Sequence, residues 1–399
     1  MSVTGILFIL VFVIAGLSVL YLFLLSFFGR FFYRERWGAV EGGMRRIAVL
    51  VPAYKEDGII VSTARGLLAL DYPEDLYDVY IVADSFQRST VEELRRHRVK
   101  VVEVSFVKST KANSLNEAFS RIGERYDIAL ICDADNVLAV DFLRRVNAAF
   151  GGGARVVQGR RVAKNLDSAF AVLDACSESI GNHIFRKGSN ALGLSASLIG
   201  SGMAFEYGLL RDILKGIDSV VEDKVIQLRI AERGVMIHYL ESAVVFDEKV
   251  SSSKAFQNQR RRWVSGQYAF LWDSFPSACR QLLKGDLNYF NLGFLHSAVP
   301  PRSFLLVLLP LLVVAGFFMG TVWGWVCAGL LVLFFFSLRM GIPNSMINKD
   351  FWRAVAKLPG AVMIMFGTLF HLRRGHKSFI HTVHTKTDVS NEFFRDTGK

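Results

Sequence analysis

Charge is absent from two long stretches of this chain. Neither Gly5 to Phe28 nor Ser303 to Leu338 contains an Asp, Glu, Lys or Arg. A core helix of a water-soluble domain rarely needs so long an uncharged run, whereas about 20 apolar residues are what a bilayer crossing requires. Cysteine is also scarce. The four cysteines, Cys132, Cys176, Cys279 and Cys327, show no metal-ligand spacing, which excludes a thiolate zinc site and a disulfide framework and fits a reducing compartment. There are no internal repeats and no low-complexity tracts, so a solenoid or a disordered scaffold is excluded.

The first uncharged run is too long for a cleaved signal peptide, and no basic residue precedes it. Arg30, Arg34 and Arg36 follow it instead. By the positive-inside rule the N-terminus faces out and the chain from Arg30 faces the cytoplasm. The second run is about twice one span, which predicts a helical hairpin turning near Gly320-Thr321. A third stretch, Leu358 to Leu372, is shorter, opens with Pro359-Gly360 and is followed by Arg373, Arg374 and Lys377. It is either a fourth span or an interfacial helix, and the charges favour the latter. The expected location is the bacterial inner membrane.

The formal net charge is +11. No stacking or groove-reading motif accompanies it, so nucleic acid is not an expected partner. Attraction to anionic lipid is the expected use.

Between the apolar ends the pattern alternates. Ile47–Val51, Val79–Ala83, Val99–Val104 and Asp127–Cys132 read as short apolar strands, with helical periods between them such as Ala112–Ile122. That alternation predicts an α/β fold with a mostly parallel sheet covered on both faces. Ligands of such sheets bind beyond the carboxyl ends of the strands, where Asp84 and Asp133 are expected.

Four groups of residues then follow in order: Asp84, Asp133-Ala134-Asp135, Glu222-Asp223 and Gln259-x-x-Arg262-Trp263. Two carboxylates one residue apart at a strand end can aim at one hard cation, with diphosphate oxygens completing its shell. A D-x-D in a solvated turn is common by chance, but the strand context and the companion groups argue against chance here. An acid in the first turn of a helix, as at Asp223, favours that helix. It can also serve as the base that a weakly nucleophilic hydroxyl needs. Arg262 can grip phosphate in a fork, and Trp263 offers a flat apolar face to a sugar ring. Arg and Trp also abound in helices lying on membranes, which accounts for their presence but not for the spacing.

Taken together, these motifs resemble those of membrane-integrated family 2 glycosyltransferases, the group of cellulose, chitin and hyaluronan synthases and of ceramide glucosyltransferases. The resemblance runs from about Arg45 to Trp263 and is looser beyond. It implies a GT-A type nucleotide-sugar-binding domain. It makes Asp135 the principal metal ligand, with Asp133 nearer the nucleotide, and Asp84 a contact to base or ribose. The second acid usual after that position is Ser85 here. Lys111, in Lys108-Ser109-Thr110-Lys111-Ala112-Asn113, matches a lysine that approaches the nucleotide. Asp223 matches the catalytic base that closes a T/V-E-D triplet. Gln259 and Arg262 then hold the leaving diphosphate and Trp263 the acceptor. Gly200-Ser201-Gly202-Met203-Ala204-Phe205 resembles an acceptor-site strand, with Gly202 and Met203 facing the acceptor. His381 and His384 lack further ligands and are read as solvated.

The expected activity is inverting transfer from a nucleotide sugar, UDP-linked for preference, with Mg²⁺ or Mn²⁺. Acceptance by a sugar, including processive β-linked polysaccharide synthesis, leads. Acceptance by a lipid is the alternative, and a non-catalytic scaffold is the remote one. Membrane lipids and an oligomer or accessory export subunits are the further partners considered. The expected domains are an N-terminal span (1–29), a catalytic domain (30–250), interfacial helices (251–302), a transmembrane hairpin (303–340) and an interfacial helix with a basic tail (341–399).

Overall fold

The computed structural model describes residues 2–37, 43–107, 109–217, 219, 221–250, 253–360, 362–363 and 387. The first half of the chain runs α1 (Val3–Phe31), β1 (Ile47–Tyr54), α2 (Ile60–Leu68), β2 (Tyr77–Asp84), α3 (Arg88–Leu94), β3 (Val99–Val104), α4 (Lys111–Arg121), β4 (Ile128–Ile131), β5 (Val137–Leu138), α5 (Phe142–Gly151), β6 (Val156–Ala163) and α6 (Ala169–Asn182). A π-helix, His183–Gly188, leads into α7 (Ser189–Ala191), β7 (Met203–Glu206), α8 (Tyr207–Leu214), α9 (Glu222–Glu232), β8 (Ile237–Asp247) and α10 (Ser253–Leu283). Then come α11 (Leu287–Phe290), a second π-helix Asn291–Leu295, α12 (His296–Ala298), α13 (Arg302–Met319), α14 (Thr321–Met340) and α15 (Lys349–Ala356).

The chain divides into two units. Among the described residues, the α/β unit comprises Glu35–Ala175 and Ser195–Ser251. Its eight strands form one sheet in the order β3-β2-β1-β4-β7-β6-β8-β5. β3, β2, β1 and β4 run parallel, β7 lies antiparallel between β4 and β6, and β6 pairs parallel with β8. β1 and β4 are almost wholly buried apolar runs, as strands covered on both faces must be. Register brings Tyr54 of β1 level with Asp84 of β2, while β4 stops at Ile131 opposite Leu50. β4 therefore ends short of its neighbour, and the space beyond Ile131 receives Asp133 and Asp135.

Among the described residues, the helical unit comprises residues 2–34, 176–194, 253–360 and 362–363. α1, α13 and α14 are each long and apolar enough to cross a membrane. Gly320, with φ +143°, separates α13 from α14, in keeping with the turn expected near Gly320-Thr321. Residues 176–194 belong here and not with the sheet. Ile180 and Ile184 pack with Leu22, Leu25, Leu305 and Leu309 in an apolar core of the spans. The Leu358–Leu372 stretch falls mostly outside the described residues, as do Arg373, Arg374, Lys377, His381 and His384.

Candidate active site

The loop after β4 is tied down before any ligand arrives. The Asp133 amide donates to Ser201 Oγ at 3.0 Å. Lys111, the first residue of α4, pairs with the Asp133 carboxylate and donates to the Gly200 carbonyl at 2.7 Å. Behind them, two buried glutamines clamp the approach to β7. Gln158 Nε2 donates to the Ser201 carbonyl at 2.9 Å and its Oε1 accepts from the Ile199 amide at 3.0 Å. Gln227 of α9 accepts from the Leu198 amide at 3.2 Å. The clamp joins α9, and hence Glu222 and Asp223 in its first turn, to the loop that holds Asp133.

Lys111 is the electrostatic centre. Burial would lower its ammonium, but the carboxylates of Asp133, Glu222 and Asp223 outweigh burial and raise it above the ordinary lysine range. Glu222 shifts the other way for a carboxylate. Burial pushes it up to about 7, opposed by Lys111 and aided by Asp223 and Asp133. Asp223 accepts the Lys224 amide on Oδ1 at 2.8 Å and keeps partial solvent access. Asp133, Lys111 and Asp223, picked out separately in the sequence, thus form one charged cluster with Glu222.

Asp84 ends β2 and is 1% exposed. Its Oδ1 accepts from Ser85 at 2.9 Å, while its buried Oδ2 has no partner among the described residues. A carboxylate oxygen desolvated without a partner is costly and is expected to receive a donor from a ligand. Ser85 follows at φ 59°, so the chain turns sharply where the strand ends.

Asp135 is 9% exposed. Its carbonyl accepts from Lys164 at 2.6 Å, and Asn136 donates to Asp247 at 3.1 Å. Asp247 is also 2.7 Å from Lys249 and 3.9 Å from Arg161. Burial would raise its carboxyl, but Lys249 and Arg161 hold it well below the usual range. This network, which fixes the segment after the D-x-D, escaped the sequence reading. Its members come from the ends of β6 and β8, far apart in sequence, and only the strand ends at Ala163 and Asp247 hint at them.

The acceptor-strand residues have a structural account. Gly202 has φ +63°, and a Cβ there would fall 2.4 Å from Val245 Cγ2, so glycine is required by packing within the sheet. Met203 is fully buried. Gln259, Arg262 and Trp263 lie on α10 in the helical unit. Trp263 is 38% exposed and carries the Arg260 guanidinium 4.8 Å from its ring centre. Gln259 Oε1 is buried without a partner among the described residues.

Among the described residues no three His, Cys, Asp or Glu side chains converge to hold a metal alone. Asp133 and Asp135 are the carboxylates at hand after β4. That donor set fits a divalent ion that brings diphosphate oxygens with it and does not fit an all-protein cage.

Residues 45–266, more than half of the chain, match the family described as "Glycosyltransferase like family 2". A beta-monoglucosyldiacylglycerol synthase of Synechocystis sp. is 26% identical over 269 residues, 65% of this chain and 56% of that protein. The probable glycosyltransferase YdaM of Bacillus subtilis is 24% identical over 277 residues, 64% of each chain. The chain spans about half the length of the synthases it matches. A mannosyltransferase of Pyrobaculum calidifontis, solved with GDP-Man and Mn²⁺, shares the fold. Its TM-score is 0.57 at 16% identity, covering 92% of this chain and 100% of that one.

Proposed function

The chain belongs to the glycosyltransferase-like family 2, and from that premise we propose that it transfers a hexosyl group from a nucleotide sugar, with inversion, to an acceptor at the membrane. The fold is of the GT-A type, with a mostly parallel sheet and three helices able to span a bilayer. The observation that carries the reading is the cluster of Asp133, Glu222 and Asp223 around Lys111, at the carboxyl end of a sheet where Asp84 keeps an unpartnered buried oxygen.

In this reading Asp84 accepts a hydrogen bond from the nucleoside. Asp133 and Asp135 would hold Mg²⁺ or Mn²⁺ together with the donor's diphosphate. The ion would supply charge neutralisation for the departing nucleoside diphosphate. Lys111 surrenders part of its pairing with Asp133 to the donor phosphates. Asp223 accepts the acceptor hydroxyl's proton as that oxygen attacks the anomeric carbon. One displacement turns an α-linked donor into a β-linked product. Gln259 and Arg262 bind the leaving diphosphate, and Trp263 stacks on the acceptor.

For the acceptor, a glycerolipid hydroxyl is favoured by the names of the relatives, which are β-glucosyl diacylglycerol synthases. The three spans of the helical unit are also few for a polymer channel. Extension of a sugar chain uses the same residues and remains the second reading. The deciding experiment incubates the membrane-embedded chain with radiolabelled nucleotide sugars, divalent metal and diacylglycerol. Label in a single chloroform-soluble glycolipid supports lipid transfer. Label in a large water-soluble polymer overturns it in favour of polysaccharide synthesis. No product from any donor sinks the glycosyl-transfer reading.

A further inference from the structure

Thr63 belongs to none of the sequence motifs, yet its hydroxyl reaches the loop that carries Asp133 and Asp135. It lies in the first half of α2 and is buried. Its Oγ1 is 2.5 Å from the Ala134 carbonyl oxygen and 3.3 Å from that of Ile59, four residues back. A threonine inside a helix commonly spends its hydroxyl proton on that earlier carbonyl. Here the Ile59 carbonyl already accepts the Thr63 amide at 3.1 Å. A hydroxyl carries one proton, and the closer acceptor is Ala134, the residue between the two carboxylates of the D-x-D.

The loop needs such help because β4 ends at Ile131 and the residues beyond it have left the ladder. Their buried backbone groups still require partners, and side chains supply them. The Asp133 amide donates to Ser201 Oγ at 3.0 Å, the Ala134 carbonyl accepts from Thr63, and the Asp135 carbonyl accepts from Lys164 Nζ at 2.6 Å. Three successive residues are thus held through their main chain by three buried side chains, each from a different part of the α/β unit. Lys164 follows β6 and is itself anchored, since its amide donates to the Asp247 carbonyl at 2.7 Å. Its bond to Asp135 is charge-assisted, and so among the stronger kinds. A side chain leaves its Cα in a direction that the backbone sets. Two carboxylates one residue apart therefore meet a single ion only if the main chain at and between them is fixed. Bonds to the Ala134 and Asp135 carbonyls do this without occupying carboxylate oxygens.

We propose that Thr63 and Lys164 are positioning residues of the metal site: by holding the main chain of Ala134 and Asp135, they preset the D-x-D for a divalent ion that arrives with a nucleoside diphosphate. The inference rests on the reading in which Asp133 and Asp135 hold that ion. It adds two residues that act through the loop's backbone, and it is independent of which sugar is moved and of the acceptor.

The test measures by calorimetry the affinity of the full-length chain, in neutral detergent, for UDP and in parallel for GDP, once with Mn²⁺ and once with chelator. The ratio of the two affinities isolates what the ion contributes. In the parent chain Mn²⁺ is expected to tighten binding of one nucleotide at least. Thr63→Val keeps the shape of the side chain and removes the hydroxyl. It is expected to cut the ratio about 10- to 100-fold, the range for losing a partner that orients a metal ligand. Its affinity in chelator should stay within a few-fold of the parent's. Thr63→Ser restores a donor and should recover most of the ratio. Lys164→Met should lower the ratio in the same way, and if the loss of a buried charge prevents folding, the two Thr63 variants decide alone. A Thr63→Val chain that gains from Mn²⁺ as the parent does overturns this inference and leaves the metal reading standing. Equal losses with and without Mn²⁺, unrescued by serine, also overturn it, since they mark a lesion of the fold. A parent chain indifferent to Mn²⁺ with both nucleotides overturns the metal reading and this inference with it.

Discussion

At the scale of single residues, the carboxylates around Lys111 separate by role. Asp223→Asn keeps the shape of the side chain and removes the proton acceptor. We expect kcat to fall about 10²- to 10⁴-fold while donor affinity, read by calorimetry, stays within a few-fold; wild-type turnover would refute the assignment. Asp135→Ala should instead abolish metal-dependent activity, and excess chelator should do the same to the parent chain. Full turnover in chelator would remove the metal from the proposal. Glu222 makes a prediction about pH. Its folded value, pushed up to about 7 by burial, lies above the ordinary 4.5. Between those values the folded state binds more protons than the unfolded one, so stability declines as pH rises through that window. Partial solvent access reduces the effect to about 1–2 kcal/mol. Glu222→Gln should flatten the dependence of unfolding temperature between pH 5 and 7, and an unchanged slope would show that another group titrates.

At the scale of elements, glycine marks where helices meet. A Cβ on Gly188 would fall 2.1 Å from the Leu25 carbonyl oxygen, and one on Gly29 would fall 3.0 Å from the His183 carbonyl. α1 therefore lies against the π-helix at backbone contact, as small residues permit inside membranes. Gly188→Ala should destabilise the chain by about 3 kcal/mol, seen as a lowered unfolding temperature in detergent. Gly66→Ala, in α2 with nothing within 4 Å, should stabilise by about 0.5–1 kcal/mol. Such contrasts are invisible in the sequence, where both are glycines in helical surroundings. The strands were legible for the opposite reason. β1, β2 and β4 are largely buried, mostly apolar runs whose ends coincide with polar loops, so pattern alone located them and, with them, Asp84 and Asp133. Lys111 was found only by likeness to known enzymes, and its place at the centre of three carboxylates depends on α9 folding back to it. Asp247, Lys249, Arg161 and Lys164 were not found, because burial of a charged network is a property of packing. Lys249 is 3% exposed.

For the whole molecule, the prediction is a topology. Arginine stands at one side of all three spans: Arg30 in the last turn of α1, Arg302 at the start of α13 and Arg339 in the last turn of α14. The opposite side, the turn at Gly320 between Met319 and Thr321, has no charged neighbour from Phe304 to Leu338. The positive-inside rule then places the N-terminus and the Gly320 turn outside, and Arg30 to Arg302 inside. α15 follows α14 on the inner side and is amphipathic, with Lys349 and Arg353 on the chain ahead of Leu358. An interfacial continuation from there keeps the tail, with Arg373, Arg374 and Lys377, in the cytoplasm with the sugar-nucleotide pool. A crossing by Leu358–Leu372 would carry those charges outward against the rule and across a stretch barely 15 residues long, below the roughly 20 that a helix needs. Single cysteines at Thr321 and Thr387, each compared with the parent chain, should answer differently to a membrane-impermeant thiol reagent on intact cells. Thr321→Cys is expected to label and Thr387→Cys to stay protected until the membrane is permeabilised. Ready labelling of Thr387→Cys would establish a fourth span and take the tail away from the active-site side of the membrane.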